Sequence, residues 1–337
     1  MNPTVKSFYR VYRPQNFREV VGQEFVTKTL ANQIATNKIG HAYLFCGTRG
    51  TGKTSVAKIF ARAVNCENFA NGKVCGKCAW CKSQNQNMDI FEIDAASNNG
   101  VDAVRDLVDS VKYPPVVGRY KVYIIDEVHM FSGSAFNALL KTLEEPPAHV
   151  IFILATTEPH KLLPTVQSRC LRFNFQNVAL PDIIKVVKSV LQKEKLTADD
   201  AAITAIAKEG RGSVRDALSF ADTVAAYCAG EPITVTKINQ IVGGVDAAVF
   251  QQLVKAITAR DAAGVRKTVG QIFAVATGAD RILHGTLDAV KDAYVGNPTP
   301  QLATTLKIFA NMEPTLKYAT DPHGYFETAA LVACGAN

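Results

Sequence analysis

The stretch from His41 to Ala63, HAYLFCGTRGTGKTSVAKIFARA, decides the fold of this 337-residue chain. It begins with a short apolar strand at 41–46, continues through a glycine-rich loop at 47–54 and enters a helical stretch that ends at 63. The loop GTRGTGKT matches G-x-x-x-x-G-K-[ST] in full, and the flanking strand and helix are the context in which this motif cradles phosphates. A chance glycine-rich loop is the alternative, and the flanking pattern disfavours it.

Each residue type in this loop has a chemical reason to be there. Glycines let the backbone turn its N–H groups toward phosphate oxygens, and the helix N-terminus adds the positive end of its dipole. We expect Lys53 to reach the β- and γ-phosphates and Thr54 to offer its hydroxyl to Mg²⁺. The residues predicted to hold ATP here are Gly47, Thr48, Arg49, Gly50, Thr51, Gly52, Lys53, Thr54 and Ser55.

Two carboxylates end a second apolar strand, VYIIDE at 122–127. Side chains alternate along a strand, so the two acids need not point the same way. We expect Asp126 to bind Mg²⁺, directly or through water, and Glu127 to orient and activate the attacking water as a base. A solvated turn is the alternative, and a complete phosphate loop upstream makes it the weaker one.

Strand and helix signals alternate through the first half of the chain. Besides 41–46, strands are predicted at 88–93, 121–125 and 150–155, where β-branched and aromatic residues are enriched. The stretch 101–111 has its apolar residues at helical spacing. Alternation of this kind, with nearly continuous apolar strands, predicts an α/β fold with a parallel sheet and helices on both faces.

The strand signals stop near residue 178. Helical stripes then follow, broken by glycines at 210–212 and again by Gly243 and Gly244, and the helical pattern continues to the end of the chain. A chain of this length is expected to form two or three domains. We predict a nucleotide-binding domain at 1–178, an all-α lid at 179–243 and an all-α collar at 244–337.

Composition narrows the class of protein. The formal net charge is +7, which fits contact with phosphates but fits an indifferent soluble enzyme as well. There is no apolar run of about 20 residues, as a membrane helix needs, and the first ten residues lack the apolar core of a secretory signal. We therefore expect a cytoplasmic protein without membrane contact.

Half of the eight cysteines are clustered, with the spacing Cys66-x8-Cys75-x2-Cys78-x2-Cys81. Four thiolates at this spacing suit a closed, structural Zn²⁺ site, in an insert at about 64–84. A redox pair is the alternative, but such pairs do not usually come with two further cysteines nearby. The remaining cysteines lie among apolar neighbours and are expected to be small core residues: Cys46, Cys170, Cys228 and Cys334.

Taken together, these motifs resemble the gamma/tau subunits of the bacterial DNA polymerase III clamp loader, which are AAA+ ATPases. The resemblance runs from about Tyr9 to Gly244 and includes the phosphate loop and the four-cysteine insert. Its other motifs are YRP at 12–14, VVGQ at 20–23, EIDAAS at 92–97, DEVH at 126–129, LKTLEEPP at 140–147, LATT at 154–157, SRC at 168–170 and GSVRDAL at 212–218.

The resemblance implies roles that spacing alone does not give. Thr157 is similar to the sensor 1 residue that responds to the γ-phosphate. Arg169 is similar to an arginine finger that completes the ATP site of a neighbouring subunit, and Arg215 to the sensor 2 residue of the lid. Taken alone, without the resemblance, each arginine fits a surface ion pair better. Further positions are implied at the adenine and ribose pocket, at Val11, Arg13, Val20 and Val21, and on the DNA backbone, at Arg105 and Lys141.

The implied activity is ATP-driven clamp loading within the DNA polymerase III holoenzyme. Its cofactors would be ATP, Mg²⁺ and Zn²⁺, and its partners other clamp-loader subunits in a hetero-oligomer, the sliding clamp and primer–template DNA. Two alternatives stay open: a nucleotide-binding scaffold without turnover, and an AAA+ motor of another DNA pathway. The intact Lys53, Thr54, Asp126 and Glu127 disfavour the first, and the cysteine insert and SRC motif disfavour the second.

Overall fold

The structure is a computed structural model that describes residues 7–83, 88–242, 245–275 and 278–335. The chain divides into two compact units, with the division between Thr223 and Val224. Among the described helices, none is both long enough and apolar enough to cross a membrane.

Five parallel strands form the sheet of the first unit, in the order β2-β3-β4-β1-β5. The three central strands are buried almost throughout, as the apolar runs predict, and the parallel α/β sheet is confirmed. The edge strand β5 was not predicted, because only Phe173 of its four residues is buried. The strands are β1 at Ala42–Cys46, β2 at Ile90–Asp94, β3 at Lys121–Asp126, β4 at Val150–Thr156 and β5 at Leu171–Asn174.

Helices cover both faces of this sheet. One face carries α2 at Glu24–Ala35 and α3 at Lys53–Asn65, and the other carries α5 at Val101–Val111, α6 at Gly133–Glu144 and α7 at Pro164–Gln167. Two short helices of this unit lie outside both sheet cores: α1 at Phe8–Val11 and α4 at Ala79–Ser83.

Two apolar cores, one on each face, hold the layers together. On one face, Val56 and Phe60 of α3 pack with Tyr43 of β1, while on the other Leu107 of α5 and Leu139 of α6 pack with the sheet. Full burial of each such side chain contributes about 1.5–3 kcal/mol. The long phosphate-loop helix α3 is thereby fixed against the centre of the sheet.

Three helices follow β5, as the helical stripes predict: α8 at Leu180–Lys193, α9 at Asp200–Glu209 and α10 at Val214–Cys228. The stripe of α8 is buried at Ile183, Val187 and Val190. The predicted break at 210–212 is present between α9 and α10, and Gly212 has a positive φ of 88° that favours glycine.

The second unit is all-helical, in agreement with the predicted pattern. Its core includes Leu253, Val269, Phe309 and Phe326. After the end of α10, the helices are α11 at Val235–Val242, α12 at Ala247–Thr258, α13 at Ala262–Val275, α14 at Ala279–Gly296, α15 at Pro300–Ala310 and α16 at Pro322–Cys334. Gly243 and Gly244, the predicted lid–collar boundary, lie outside the described residues, so that boundary stays a prediction.

Candidate nucleotide and metal sites

The candidate nucleotide site lies where parallel strands end. The phosphate loop follows β1, the acidic pair closes β3, and Thr157 follows β4, which lies between those two strands. Ligands of open α/β sheets bind at this carboxyl edge. The Thr54 hydroxyl donates to Asp126 Oδ2 at 2.7 Å, so the two predicted Mg²⁺ ligands are in contact.

A cavity of roughly 880 Å³ opens at this edge, a volume typical of small-molecule sites. Most of the predicted site residues line it: Arg13, Val20, Val21, Arg49, Gly50, Thr51, Gly52, Lys53, Thr54, Ser55, Asp126, Glu127 and Arg215. Five residues predicted for nucleotide binding or hydrolysis are not among its lining: Val11, Gly47, Thr48, Thr157 and Arg169.

Lys53 is folded back onto its own loop. Its Nζ donates to the carbonyl oxygens of Gly47 at 2.8 Å and Thr48 at 2.9 Å. Burial lowers the pKa of Lys53, while the nearby Glu127 and Asp126 carboxylates oppose that shift. Lys53 is thus a buried cation near the carboxylates of Glu127 and Asp126, at the N-terminus of α3.

Glu127 has an unusual backbone and a specific partner. Its φ of 48° and ψ of 45° lie in the left-handed region, which non-glycine residues enter rarely. Its N–H donates to Asp126 Oδ1 at 3.0 Å. Its Oε2 accepts hydrogen bonds from Thr157, from the N–H at 3.1 Å and from the hydroxyl at 2.9 Å. The predicted sensor residue is therefore bound to the predicted base, although Thr157 itself is not part of the cavity lining.

The start of α10 forms part of the cavity wall. The Arg215 guanidinium lies 5.0 Å from the ring centroid of Tyr9, a cation–π contact. A Cβ atom on Gly50 would lie 1.8 Å from Ser213 Oγ, so the phosphate loop and this wall are in close apposition. Tyr9 and Ser213 were not predicted as site residues; no motif spacing marks Tyr9, whereas Ser213 stands inside the GSVRDAL motif.

The predicted adenine-side residues are only partly at the cavity. Arg13 donates from Nε to Ser55 Oγ at 3.0 Å, which ties the N-terminal segment to α3. Val20 and Val21 line the cavity beside it. Val11 is half exposed and lies outside that lining.

Three residues predicted to act on a neighbouring subunit or on DNA lie away from the cavity. Arg169 pairs with Glu144 Oε1 at 2.5 Å and donates to the Thr165 carbonyl at 2.7 Å. Arg105 pairs with its neighbour Asp102 at 3.1 Å on the exposed side of α5. Lys141 is exposed on α6. None of these contacts brings the side chain to the nucleotide cavity of its own chain.

The four clustered cysteines form a compact sulfur site. All four Sγ atoms lie within 4.8 Å of one another, with Cys66–Cys81 at 3.7 Å and Cys75–Cys81 at 3.8 Å. A tetrahedral Zn²⁺ with Zn–S bonds of about 2.3 Å would set its sulfurs about 3.8 Å apart, so this set fits zinc. These distances are far longer than the disulfide bond of about 2.05 Å.

Backbone donors already support thiolate at this site. Cys75 Sγ accepts from the N–H groups of Lys77 at 3.4 Å and Cys78 at 3.3 Å, and these bonds lower the pKa of Cys75 to about 6. Burial raises the pKa of Cys66 and of Cys81. Of these three thiols, Cys75 is therefore the one expected to ionise at the lowest pH.

The fold and the phosphate loop together define an AAA+ nucleotide-binding module followed by a helical lid. Solved structures of Thermotoga maritima RuvB share this fold. One, titled as a Holliday junction branch migration motor, has a TM-score of 0.54 and 19% identity, and covers 73% of this chain and 79% of that chain. A single-residue mutant of the same RuvB protein has the same TM-score at 18% identity, covering 89% of this chain and 87% of that one.

Sequence comparisons identify the family within this class. Residues 22–179 match the family described as DNA polymerase III, delta subunit, and residues 182–230 match the ATPase lid domain of the DNA polymerase III clamp loader subunit. DNA polymerase III subunit tau of Bacillus subtilis is 43% identical over 98% of this chain, and the Escherichia coli subunit tau is 45% identical over 74%. The chain belongs to the tau/gamma family of DNA polymerase III subunits. It spans 63% of the Bacillus protein and 39% of the Escherichia protein.

Proposed function

We propose that this chain is an ATP-hydrolysing clamp-loader subunit of a cytoplasmic DNA polymerase III holoenzyme, which opens the sliding clamp and loads it onto primed DNA. The observation that carries the proposal is the 2.7 Å contact between Thr54 and Asp126 at the wall of a nucleotide-sized cavity. Family membership and an intact phosphate loop support it.

The residues present fit ATP and Mg²⁺. Lys53 would exchange the carbonyls of Gly47 and Thr48 for phosphate oxygens, since an ammonium gains more from anions than from neutral acceptors. Thr54 and Asp126 offer the oxygen ligands that Mg²⁺ prefers. Mg²⁺ held by them would offset charge on the transferring phosphoryl group.

Glu127 would act as the base that orients the attacking water. Glu127 is one of the residues that line the cavity, and Thr157 holds one of its carboxylate oxygens in place. The Thr157 hydroxyl has a single proton to donate. As a sensor of the γ-phosphate, its hydroxyl would therefore give up its bond to Glu127 Oε2 when it turns to the nucleotide, leaving only the Thr157 N–H on that oxygen. Recognition of ATP would thereby be coupled to the hold on the base.

Arg169 would work on a neighbouring subunit. Its present partners, Glu144 and the Thr165 carbonyl, lie outside the cavity of its own chain. A guanidinium brought to a neighbour's ATP would stabilise the charge of the transition state. Arg215, already in the cavity wall, would let the lid grip the nucleotide in its own chain. Assembly with other clamp-loader subunits would complete each active site.

DNA contact is proposed at the exposed Arg105 of α5 and Lys141 of α6. Cations on these helices would meet backbone phosphates, so binding would be independent of base sequence and weakened by salt.

The cysteine cluster would hold structural Zn²⁺, with no open position for chemistry. The domains we propose are the nucleotide-binding module at 1–178, the lid at 179–243 and an oligomerising collar at 244–337.

A reconstituted clamp-loading assay tests the proposal. The full chain is mixed with its partner subunits, clamp and primed DNA, and ATP turnover is measured with and without clamp and DNA. We expect stimulated turnover and clamp loading, both lost in Lys53→Ala through a loss of ATP affinity of about 100-fold or more. Lys185→Ala, at an exposed side chain on α8, is the matched control.

Two results would favour the alternatives. Tight ATP binding without turnover in any assembly would indicate a scaffold. A purified protein without zinc, stimulated by branched DNA but not by clamp, would indicate a motor of another pathway.

A further inference from the structure

A histidine lies directly behind the proposed base. His129 belongs to the 3₁₀ turn Val128–Met130 that follows Glu127. Its side chain is only 7% exposed, and it is not among the residues that line the nucleotide cavity, whereas Glu127 is. A buried imidazole at this point cannot contact the nucleotide directly, and its polar atoms must be satisfied by the protein.

The ring contacts the same carboxylate oxygen that Thr157 holds. His129 Nδ1 lies 3.4 Å from Glu127 Oε2, the atom that also accepts the two hydrogen bonds from Thr157. Polar contacts from two directions thus converge on one oxygen. The described contacts leave Oε1, the other oxygen of this carboxylate, without a hydrogen-bond partner, which is the arrangement a base needs if one oxygen is to face water.

A second contact fixes the ring itself. His129 Nδ1 lies 3.0 Å from the hydroxyl of Thr156, which is fully buried at the end of β4. The Thr156 hydroxyl also accepts the N–H of Glu158 at 3.0 Å, and the Thr156 carbonyl accepts the N–H of Gly47 at 3.2 Å. The residue that anchors the ring is therefore also bonded to the first glycine of the phosphate loop.

The far side of the ring faces a further acid. His129 Nε2 lies 3.9 Å from Glu158 Oε1, and Glu158 is itself paired with Lys161 at 2.5 Å. The imidazole is thus enclosed between the base and a neutralised carboxylate. Nδ1 thus contacts both residues: it shares a hydrogen bond with the Thr156 hydroxyl, and its 3.4 Å contact with Glu127 Oε2 is electrostatic and attractive when the ring is protonated.

We infer that His129 is a positioning residue for ATP hydrolysis, which holds Glu127 Oε2 so that the base presents its other oxygen to the attacking water. This inference rests on the proposed ATPase function. It assigns to His129 no contact with nucleotide, and it predicts an effect on turnover that is separate from nucleotide affinity.

The test compares three substitutions at one position in the full chain assembled with its partner subunits. His129→Phe keeps the ring volume and removes both nitrogens. His129→Asn keeps a polar group near the Nδ1 position, and His129→Gln moves it to the Nε2 position. His160→Asn is the matched control, since His160 is 74% exposed and faces Glu158 from the solvent side.

We expect His129→Phe to lower kcat by at least about tenfold, because a misoriented base forfeits part of the roughly 10²–10⁴-fold that general-base catalysis contributes. ATP affinity, measured with a fluorescent analogue, should stay within about twofold, as for a group that acts only on the chemical step. His129→Asn should recover most of the turnover, His129→Gln should not, and His160→Asn should match the parent protein.

In a Glu127→Gln background, His129→Phe should cause no further loss of turnover, because the effects of residues that act as a unit are not additive.

Each contrary result has a distinct meaning. A parent complex without Lys53-dependent hydrolysis overturns the proposed function and this inference with it. An active parent with an equally active His129→Phe overturns the inference alone. So does a His129→Phe protein that loses ATP affinity and melting temperature together without rescue by Asn, since that pattern marks a role in packing only.

Discussion

Thr54 and Asp126 are 72 residues apart in sequence and share a hydrogen bond of 2.7 Å between Oγ1 and Oδ2. The contact joins the first turn of α3 to the end of β3, across the strand β4 that separates β1 from β3 in the sheet. Two oxygen ligands suited to Mg²⁺ are thereby held in contact with each other.

Replacing Thr54 with Val should separate metal-dependent from metal-independent binding. The change keeps the side-chain shape but removes the hydroxyl, so the affinity for ATP with Mg²⁺ should fall about tenfold, or about 1.4 kcal/mol. Affinity for ATP in EDTA should change little, and titration calorimetry in the two buffers measures both. Thr36→Val, at an exposed hydroxyl at the end of α2, is the control. An equal loss in both buffers would contradict the role of Thr54 in metal binding.

Gly50 should tolerate no side chain. Its φ of 76° disfavours any L-residue, and a Cβ there would lie 1.8 Å from Ser213 Oγ and 3.4 Å from Arg215 Cβ. Gly50→Ala should therefore push the phosphate loop away from the wall that carries Arg215 and weaken ATP binding about tenfold or more, with about 1 kcal/mol of backbone strain in addition. Binding is measured by calorimetry and stability by urea unfolding.

Gly133→Ala provides the comparison. That position opens α6, has no positive φ, and an added Cβ would meet nothing within 4 Å. Alanine is the better helix former, so stability should be unchanged or slightly higher and ATP binding unaltered. If both alanine variants bound ATP like the parent protein, the close apposition at Gly50 would have no functional meaning.

Local patterns were enough to predict the elements that carry the site. The helix at Val101–Val111 and the loop before α3 follow from apolar spacing and from glycine placement, both of which act within a few residues. The strand β5 was missed because three of its four residues are exposed at the edge of the sheet. An edge strand is defined by its partner and so leaves little trace in its own sequence.

The contacts of the candidate site were harder to predict for the same reason. The family resemblance marked Thr157 and Glu127 separately, but their hydrogen bond depends on the left-handed backbone of Glu127 and on the packing of β4 beside β3. Tyr9 reaches the cavity through the path of an N-terminal segment that no periodicity describes. Sequence thus predicted which residues lie at the cavity more readily than which of them are in contact.

Arg169→Ala should affect assemblies and spare the isolated chain. The side chain is bound to Glu144 and to the Thr165 carbonyl, outside its own cavity, so ATP affinity of the single chain should be unchanged. In the assembled complex, turnover should fall by about 10³-fold or more, the usual worth of an arginine finger. A steady-state ATPase assay on both forms measures this. Arg172→Ala on the neighbouring strand β5 is the control, and equal turnover of the assembled Arg169→Ala and parent proteins would exclude the role in trans.

The cysteine cluster should show an ordered reactivity once it is stripped of metal. Backbone N–H groups lower the pKa of Cys75 to about 6, so at pH 7 its thiol is mostly ionised, whereas burial raises the pKa of Cys66 and Cys81. The thiolate is the reactive form, so iodoacetamide labelling of Cys75 should rise as pH increases through about 6 and level off above it, while labelling of Cys66 and Cys81 should require a higher pH than an ordinary thiol does. The same shift means that the contribution of ionised Cys75 to stability is complete above its ordinary pKa and is lost as pH falls through about 6.

Peptide mapping after chelator treatment measures the order in which the cysteines are labelled, and added Zn²⁺ should protect all four cysteines together. Labelling that is uniform across the four, or unchanged by Zn²⁺, would contradict a shared tetrahedral site.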